Sequence, residues 1–185
     1  MENLFLLNRI MRVLKTKFDN LFLITLETKS DFRGNFSRLF CKKIFSSYGV
    51  NFKIKQVSLA TNTSKHTLRG MHFQEHPKQE QKLLCCIKGK IWDVVVDIRK
   101  GSSTFGQWQH FELNNKNCLF IPKGFAHGYI TITKKVEIIY FMDELYELKL
   151  SKGIIWNDKS VGINWPFQPK VISKNDQNLS YLHDL

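Results

Sequence analysis

Short runs of β-branched and aromatic residues, separated by clusters of glycine, proline, asparagine and aspartate, recur along most of the chain. Runs of this length are typical of the strands of a sandwich or barrel. Strands are predicted at residues 21–26, 52–60, 67–74, 83–87, 91–98, 106–113, 118–121 and 136–142. One short helix is predicted within residues 37–49, which end in Tyr48-Gly49. The pattern therefore predicts an all-β jelly roll of eight or more strands with short flanking helices.

Two of the predicted strands, 83–87 and 91–98, are separated only by Lys88-Gly89-Lys90. A connection this short is typical of two antiparallel neighbours in one sheet. The sequence therefore predicts a long hairpin over residues 83–98.

Polar side chains interrupt the predicted strand within the segment Thr67–Lys82. Arg69, His72 and Gln74 occupy positions where a strand buried on both faces would carry apolar residues. Strict alternation would send Arg69 and His72 to opposite faces of the sheet. A bulge at Gly70 would bring both side chains to one face, so this segment is predicted to build a site.

Length and composition agree with a single domain. The chain has 185 residues, of which 43% are hydrophobic, enough for a substantial core. Near the N-terminus, the apolar run before Asn8 and Arg9 is short for a signal-peptide core and far too short to span a bilayer. Residues 1–16 are therefore predicted to be an extension of unknown role, and residues 17–185 a single domain.

The formal net charge of +12 raises the question of nucleic-acid binding. The lysines are scattered, and no basic helix, zinc finger or ribonucleoprotein-type aromatic motif accompanies them. We therefore expect a general attraction to anions such as nucleotide phosphates, with neither nucleic acid nor membrane as a partner. The four cysteines lack C-x-x-C spacing and are predicted to be free thiols of a cytoplasmic protein: Cys41, Cys85, Cys86 and Cys118.

A second polar cluster follows the strand at 118–121. Its Pro122, Gly124 and His127 form P-x-G-x-x-H, which resembles half of the second cupin motif. In metal-binding cupins the first motif supplies H-x-H, but here Gln74 stands where the second histidine would be. Four side chains could be drawn as ligands, but their spacing fits no trusted metal site: His72, His76, Glu80 and His127. We therefore expect no bound metal.

Several longer motifs carry a narrower resemblance. They are D-F-R-G-N-F at 31–36, T-L-R-G-M-H-F-Q at 67–74, Q-K-L-L-C at 81–85, W-D-V-V-V-D-I-R-K at 92–100, S-S-T-F-G-Q-W at 102–108, I-P-K-G-F-A-H-G-Y at 121–129 and W-N-D-K-S-V-G-I-N-W-P at 156–166. In this order they resemble the dTDP-4-dehydrorhamnose 3,5-epimerase family, from about residue 21 to residue 176. The resemblance implies a cupin-type jelly roll without metal or cofactor, usually a homodimer. It also implies epimerisation of a 4-keto-6-deoxy sugar carried on a nucleoside diphosphate, for deoxysugar and surface-polysaccharide synthesis.

The resemblance implies a role for each of four catalytic residues. His72 matches the base that removes a carbon-bound proton next to the ketone, a task suited to a group that titrates near neutral pH. Asp176 matches the carboxylate that orients this histidine. Tyr140 matches the acid on the opposite face of the sugar. Lys82 matches the cation near the enolate oxygen, where a charge in a dry site is most effective.

The resemblance also assigns residues that hold the substrate. Arg69 and His127 match residues that position the sugar and its carbonyl. Arg33 matches a contact to the diphosphate side of the nucleotide, and Tyr146 matches an aromatic residue that stacks near the base.

Departures from the family pattern lie on this substrate-holding side. Arg38 replaces a glutamate, and Ser58, in the segment that begins at Gln56, replaces an asparagine. Ser151 replaces another glutamate and Asn175 a lysine. We therefore expect an intact catalytic core with altered substrate contacts at these four positions, while Gln56 is retained and predicted, with Arg38 and Ser58, to contact the substrate.

Alternatives stay open at this point. One is an epimerase that acts on a single carbon or on another nucleotide sugar. Another is a cupin that binds a sugar nucleotide without turning it over, and a third is a basic nucleic-acid-binding protein. A cupin 3,4-ketoisomerase is a closer rival, but it uses a histidine-rich motif that this chain lacks.

Overall fold

Two antiparallel sheets face each other and enclose the core. The computed structural model describes residues 11–185. The larger sheet has six strands, in spatial order β1 (Met11–Lys15), β2 (Phe22–Leu26), β10 (Asn117–Ile121), β7 (Lys82–Lys88), β12 (Val136–Met142) and β5 (Gln56–Asn62). The smaller sheet has five, in the order β13 (Ser151–Gly153), β6 (Leu68–Gln74), β11 (Phe125–Thr131), β8 (Ile91–Asp97) and β9 (Trp108–Leu113).

A separate two-stranded hairpin consists of β3 (Thr28–Asp31) and β4 (Gly34–Ser37). The helices are short: α1 (Lys42–Ser47), α2 (Lys174–Gln177) and two single 3₁₀ turns, Leu148–Leu150 and Leu182–Asp184. The helix α1 lies inside the predicted segment 37–49. The prediction of an all-β jelly roll with short helices is confirmed.

The core lies between the two sheets and continues on their outer faces. Leu84 of the large sheet and Val95 of the small sheet are fully buried in the central cluster. Outside the large sheet, Phe45 of α1 packs against Phe120. Outside the small sheet, Ile154 belongs to the C-terminal segment that covers Met71 and Val94. Strands covered on both faces carry near-continuous apolar runs, which is why they are visible in the sequence.

The hairpin predicted over residues 83–98 is wrong. Strand β7 bonds to β10 and β12 in the large sheet, whereas β8 bonds to β9 and β11 in the small sheet. The turn at Lys88–Lys90 is therefore a corner between two facing sheets. The hydrogen-bonding edges of both strands are already occupied, so β7 and β8 do not pair with each other.

The predicted domain boundary at residue 17 requires a correction. Residues 11–15 form β1, which pairs with β2 in register Met11↔Leu26 to Lys15↔Phe22. Met11 is buried to 1% exposure in the outer cluster of the large sheet. These residues therefore belong to the domain, while residues 1–10 of the predicted extension lie outside the described part of the chain.

The bulge predicted at Gly70 is confirmed. Between β6 and β11, His72 pairs with His127 and Arg69 pairs with Tyr129, so three steps on β6 match two on β11. Gly70 has a φ of +131°, and a Cβ at this position would clash with the backbone of Gly128. Only glycine allows the two strands to approach so closely here.

The four cysteines are free thiols, as predicted. Cys85 and Cys86 are both buried on opposite faces of β7, one in the outer cluster and one in the central cluster. Among residues 11–185, no helix is long and apolar enough to cross a membrane.

Candidate active site

A cavity of about 1000 Å³ lies between the sheets, against α2 and the loop that follows β12. Its wall contains nine of the residues predicted to form the site: Gln56, Ser58, Arg69, His72, Lys82, His127, Tyr140, Tyr146 and Asp176. They come from β5, β6, β7, β11 and β12, from the loop after β12 and from α2. The fold thus brings together groups that are as much as 120 residues apart, from Gln56 to Asp176.

His72 and Asp176 form a hydrogen-bonded pair. The distance from His72 Nε2 to Asp176 Oδ1 is 2.8 Å. The second carboxylate oxygen, Oδ2, accepts the backbone N–H of Gly70 at 3.2 Å. Ser173 caps α2 through the backbone N–H of Asp176 and so fixes the aspartate at the cavity wall. Because Nε2–H donates to the carboxylate, Nδ1 of His72 is the nitrogen free to accept a proton.

The environment keeps Asp176 ionised. Burial raises the pKa of this carboxyl, but the hydrogen bond and charge of His72, with Gly70 and Ser173, outweigh burial and hold the pKa below its usual value. An ionised aspartate stabilises the imidazolium that forms when His72 takes a proton. The His72 side chain is 40% exposed, so a proton on it can exchange with solvent.

Lys82 lies at the start of β7 with its ammonium group in the cavity wall. Its Nζ is 2.8 Å from Glu80 Oε1, and the two side chains are 11% and 7% exposed. Glu80 also accepts a hydrogen bond from Gln74 Nε2 at 3.1 Å. Glu80 therefore holds the lysine in one place, a contact that the sequence did not predict.

Tyr140 faces the cavity from β12 in the large sheet, whereas His72 belongs to β6 in the small sheet. Burial is the main reason why the pKa of Tyr140 lies well above its ordinary value, and the neighbouring Tyr129 and Asp93 add to it. The hydroxyl is therefore protonated at neutral pH and available as a donor. The predicted base and the predicted acid come from facing sheets.

His127 is held by Asp93, a residue that the sequence did not single out as functional. His127 Nε2 lies 2.7 Å from Asp93 Oδ2, and Asp93 is completely buried. Burial raises the pKa of Asp93, and the charges of His127 and Lys82 oppose this effect. In the sequence, a role for Asp93 is indicated only by its position as a charged residue inside an apolar strand, W-D-V-V-V-D.

The loop that carries Tyr146 is fastened by two glutamines. Gln56 Oε1 accepts the backbone N–H of Tyr146 at 2.9 Å. Gln74 Oε1 accepts the N–H of Glu147 at 2.6 Å, and its Nε2 donates to the carbonyl of Leu145 at 3.2 Å. Tyr146 is 58% exposed at the cavity mouth, where the heterocyclic base of a nucleotide could stack on its ring.

These bonds also occupy Gln74, the residue at the second ligand position of metal-binding cupins. In residues 11–185, no three His, Cys, Asp or Glu side chains cluster closely enough to hold a metal ion.

Arg33 and Arg38 do not line the cavity of their own chain. Arg33 lies at the turn of the β3–β4 hairpin, where it forms an exposed 2.6 Å ion pair with Asp31. Arg38 follows β4 and is exposed. Of the other departures from the family pattern, Ser58, Ser151 and Asn175 do line the cavity.

A histidine that can accept a proton and a tyrosine that can donate one lie on facing walls, with a lysine ammonium in the same cavity, and this arrangement suits proton transfer on a bound carbonyl compound. Within a jelly-roll barrel, this arrangement defines a cupin-type isomerase.

Relatives of known activity narrow the class. A family sequence profile described as dTDP-4-dehydrorhamnose 3,5-epimerase matches residues 15–184. The chain is 39% identical over 173 residues to the dTDP-4-dehydrorhamnose 3,5-epimerase of Shigella flexneri, covering 91% of this chain and 94% of the relative.

Two solved structures support the same family assignment. The Bacillus anthracis dTDP-4-dehydrorhamnose 3,5-epimerase, with TDP and pyrophosphate bound, has a TM-score of 0.89 at 36% identity and covers 92% of this chain and 99% of its own. The Legionella pneumophila dTDP-6-deoxy-D-glucose-3,5-epimerase was solved in complex with dTDP-4-keto-L-rhamnose. It has a TM-score of 0.88 at 32% identity and covers 94% of this chain and 93% of its own. The chain belongs to the dTDP-4-dehydrorhamnose 3,5-epimerase family, and the predicted family is confirmed.

Proposed function

We propose that the protein epimerises carbons 3 and 5 of a 4-keto-6-deoxy sugar carried on dTDP, through an enolate. The observation that carries this proposal is the His72–Asp176 pair on one wall of a cavity whose facing sheet carries Tyr140. Family membership supplies the reaction, and the bound nucleotide sugar of the Legionella relative supports the substrate class.

The proposed reaction begins with proton removal. Nδ1 of His72 takes the proton from the carbon next to the ketone, and Asp176 stabilises the imidazolium. Negative charge then develops on the ketone oxygen, and the Lys82 ammonium is the cation that stabilises it. Tyr140 returns a proton to the carbon from the facing sheet, so the configuration inverts.

We propose that no metal or cofactor takes part. The amide of Gln74, at the second ligand position of metal-binding cupins, is engaged by the Tyr146 loop, and no three His, Cys, Asp or Glu side chains cluster among residues 11–185. The lysine supplies the charge stabilisation that a Lewis acid would otherwise provide. The free thiols of all four cysteines support a cytoplasmic location.

We propose that the working form is a homodimer in which Arg33 serves the cavity of a second copy. The hairpin that carries it exposes Phe32 to 99% and Phe36 to 66%. The edge strand β5 exposes Val57 to 56% and Leu59 to 61% beside the cavity mouth. Exposed apolar side chains on a hairpin and on a sheet edge are typical of an interface.

Deuterium uptake from heavy water tests the proposed activity. The purified protein would be incubated with chelator and a panel of nucleoside-diphosphate 4-keto-6-deoxy sugars, and deuterium located by NMR. We expect uptake at carbons 3 and 5 and formation of the epimer with the dTDP sugar. Uptake at one carbon only would instead identify a single-carbon epimerase. Binding without uptake would identify a non-catalytic binder, and activity lost on chelation would contradict the cofactor-free mechanism.

A further inference from the structure

Gln74 is a polar residue of β6 to which the proposed mechanism gives no role. It is the last residue of the strand that carries His72, it lines the cavity, and it is only 4% exposed. A buried amide is costly unless its donors and its acceptor are hydrogen-bonded. The partners of this amide therefore indicate what the side chain contributes to the site.

Two of its hydrogen bonds fasten the loop that carries Tyr146. Gln74 Oε1 accepts the backbone N–H of Glu147 at 2.6 Å, and Nε2 donates to the carbonyl of Leu145 at 3.2 Å. The two bonds thus hold the residues on either side of Tyr146. Because Leu145 and Tyr146 are 53% and 58% exposed, apolar packing holds this loop only weakly, and the hydrogen bonds matter more.

The same amide nitrogen also contacts the carboxylate that holds Lys82. Gln74 Nε2 lies 3.1 Å from Glu80 Oε2, and the other carboxylate oxygen, Oε1, lies 2.8 Å from Lys82 Nζ. The Lys82 and Glu80 side chains are 11% and 7% exposed, and an ion pair this buried needs donors for both carboxylate oxygens. Gln74 supplies the second donor, so it is joined to the lysine through Glu80.

The amide of Gln74 has no spare N–H for a ligand. Its two Nε2 protons face three oxygens, because the carbonyl of Lys78 lies at 2.9 Å in addition to the Leu145 carbonyl and the Glu80 carboxylate. We therefore expect Gln74 to act on the residues that it holds, and not as a donor to the substrate.

The two groups joined through Gln74 serve opposite ends of the proposed substrate. Tyr146 lies at the cavity mouth, where the base of the nucleotide would stack, and Lys82 lies where the ketone oxygen of the sugar would be. Base and ketone are joined by a fixed number of bonds, so both protein groups must be held at a matching separation. Misplacing a catalytic group by about 1 Å can cost about 10²-fold in rate.

We propose that Gln74 is a positioning residue that sets the separation between the Tyr146 loop and the Lys82 ammonium group. It affects nucleotide binding through the loop and enolate formation through Glu80, without contacting the reacting atoms. The inference rests on the proposed epimerase function and deepens it, because one buried amide then contributes to both the binding of the nucleotide and the chemistry at the ketone.

Gln74→Met tests this role, because methionine fills a similar space but removes all the hydrogen bonds. The KM for the dTDP sugar should rise about 2- to 10-fold, since the loop must then be ordered on binding. The kcat should fall about 10- to 100-fold, since Lys82 is no longer held in place. Lys82 serves enolate formation, so deuterium exchange and epimer formation should fall by the same factor. Gln74→Asn, one methylene shorter, should show the same pattern and replaces Gln74→Met if that variant does not fold.

Lys78→Met is the matched control. It removes the 3.2 Å ion pair between Lys78 and Glu144, which joins the same two loops, and leaves the contacts of the Gln74 side chain in place. Both KM and kcat should be nearly unchanged, because a partly exposed ion pair contributes little. If this control lowers kcat as much as Gln74→Met does, general loosening of the loops explains the effect and the inference is overturned.

A double variant shows whether Gln74 acts through the lysine. Adding Gln74→Met to Lys82→Gln protein should cause no further fall in kcat, while the rise in KM persists. A further fall in kcat there, or an unchanged KM or kcat in the folded single variant, would overturn the inference while leaving the epimerase function intact. Wild-type protein with neither exchange nor epimer formation on the substrate panel would overturn the function itself, and the inference with it.

Discussion

In the proposed reaction, Tyr140 donates the proton that gives the carbon its new configuration. In Tyr140→Phe, His72, Asp176 and Lys82 are still able to form the enolate. Its reprotonation is then left to His72 on the original face or to stray water. Epimer formation should therefore fall by about 10²- to 10⁴-fold, the contribution of one acid–base group, while deuterium exchange persists.

NMR on the same sample measures both signals, and the melting temperature is the control for folding because the ring is retained. An equal fall in exchange and epimer formation would mean that Tyr140 helps to form the enolate. No fall in either would remove Tyr140 from the mechanism.

Residues of the site differ in how far the sequence could reveal them. His72, Lys82 and Tyr140 lie in or near motifs that resemble a known family, so their arrangement around one cavity could be predicted. Asp93 and Glu80 could not be given partners, because those partners depend on how the barrel closes. The Gln74–Glu147 contact joins residues 73 positions apart, and nothing local to either segment indicates it.

Among the elements, the bulged strand β6 determines where the site residues point. Gly70→Ala should cost stability in two ways: its φ of +131° disfavours a side chain, and the added Cβ meets the Gly128 backbone. Gly101→Ala is the matched control, since Gly101 has a φ of +88° with open space around it.

We expect the control to cost about 1–2 kcal/mol from its backbone conformation alone. Gly70→Ala should cost about 1–3 kcal/mol more, the usual range for an overpacked position. Denaturant unfolding measures both variants, and equal losses would contradict the close approach of β6 and β11.

The loop after β8 depends on an ionised carboxylate. Burial raises the pKa of Asp97, but hydrogen bonds from Arg99, Thr104 and Ser102 outweigh it and lower the pKa from its ordinary value of 3.8 to about 2. A group whose pKa is depressed on folding stabilises the protein above its unfolded pKa and loses this effect as the pH falls through the folded value.

Asp97→Asn should therefore be less stable than the wild type at neutral pH. The gap between the free energies of unfolding of the two proteins should narrow by about 1–2 kcal/mol between pH about 4 and pH about 2. Urea unfolding at several pH values measures the gap. A gap that stays constant over this range would show that Asp97 is not the titrating group.

Strand positions were predictable, but strand partners were not. Short apolar runs bounded by turn residues identified β7 and β8, because the tendency of a segment to be buried depends on local sequence. Pairing depends on which edges are free after the whole sheet has formed. The three-residue turn Lys88–Lys90 therefore predicted a hairpin where the chain crosses between sheets.

At the scale of the whole molecule, the proposed dimer places Arg33 of one copy in the cavity of the other. Arg33→Ala should raise the KM for the nucleotide sugar by about 10- to 100-fold through loss of a charged contact. Mixing Arg33→Ala protein with inactive His72→Asn protein and allowing subunits to exchange gives hybrid dimers. Each hybrid should contain one wild-type site and recover the wild-type KM. Mixtures that keep the raised KM would show that Arg33 acts within its own chain, and a monomer in sedimentation would contradict the dimer.

Deuterium exchange into the sugar by His72→Asn protein tests the central claim most directly. Asparagine keeps a hydrogen bond to Asp176 within reach but has no basic nitrogen, so fold and nucleotide-sugar binding should persist. We predict that exchange at the carbons next to the ketone and formation of the epimer both fall by at least about 10²-fold, the lower end of the range for a general base. Near-normal exchange in a folded His72→Asn protein that still binds the nucleotide sugar would contradict the assignment of His72 as the base.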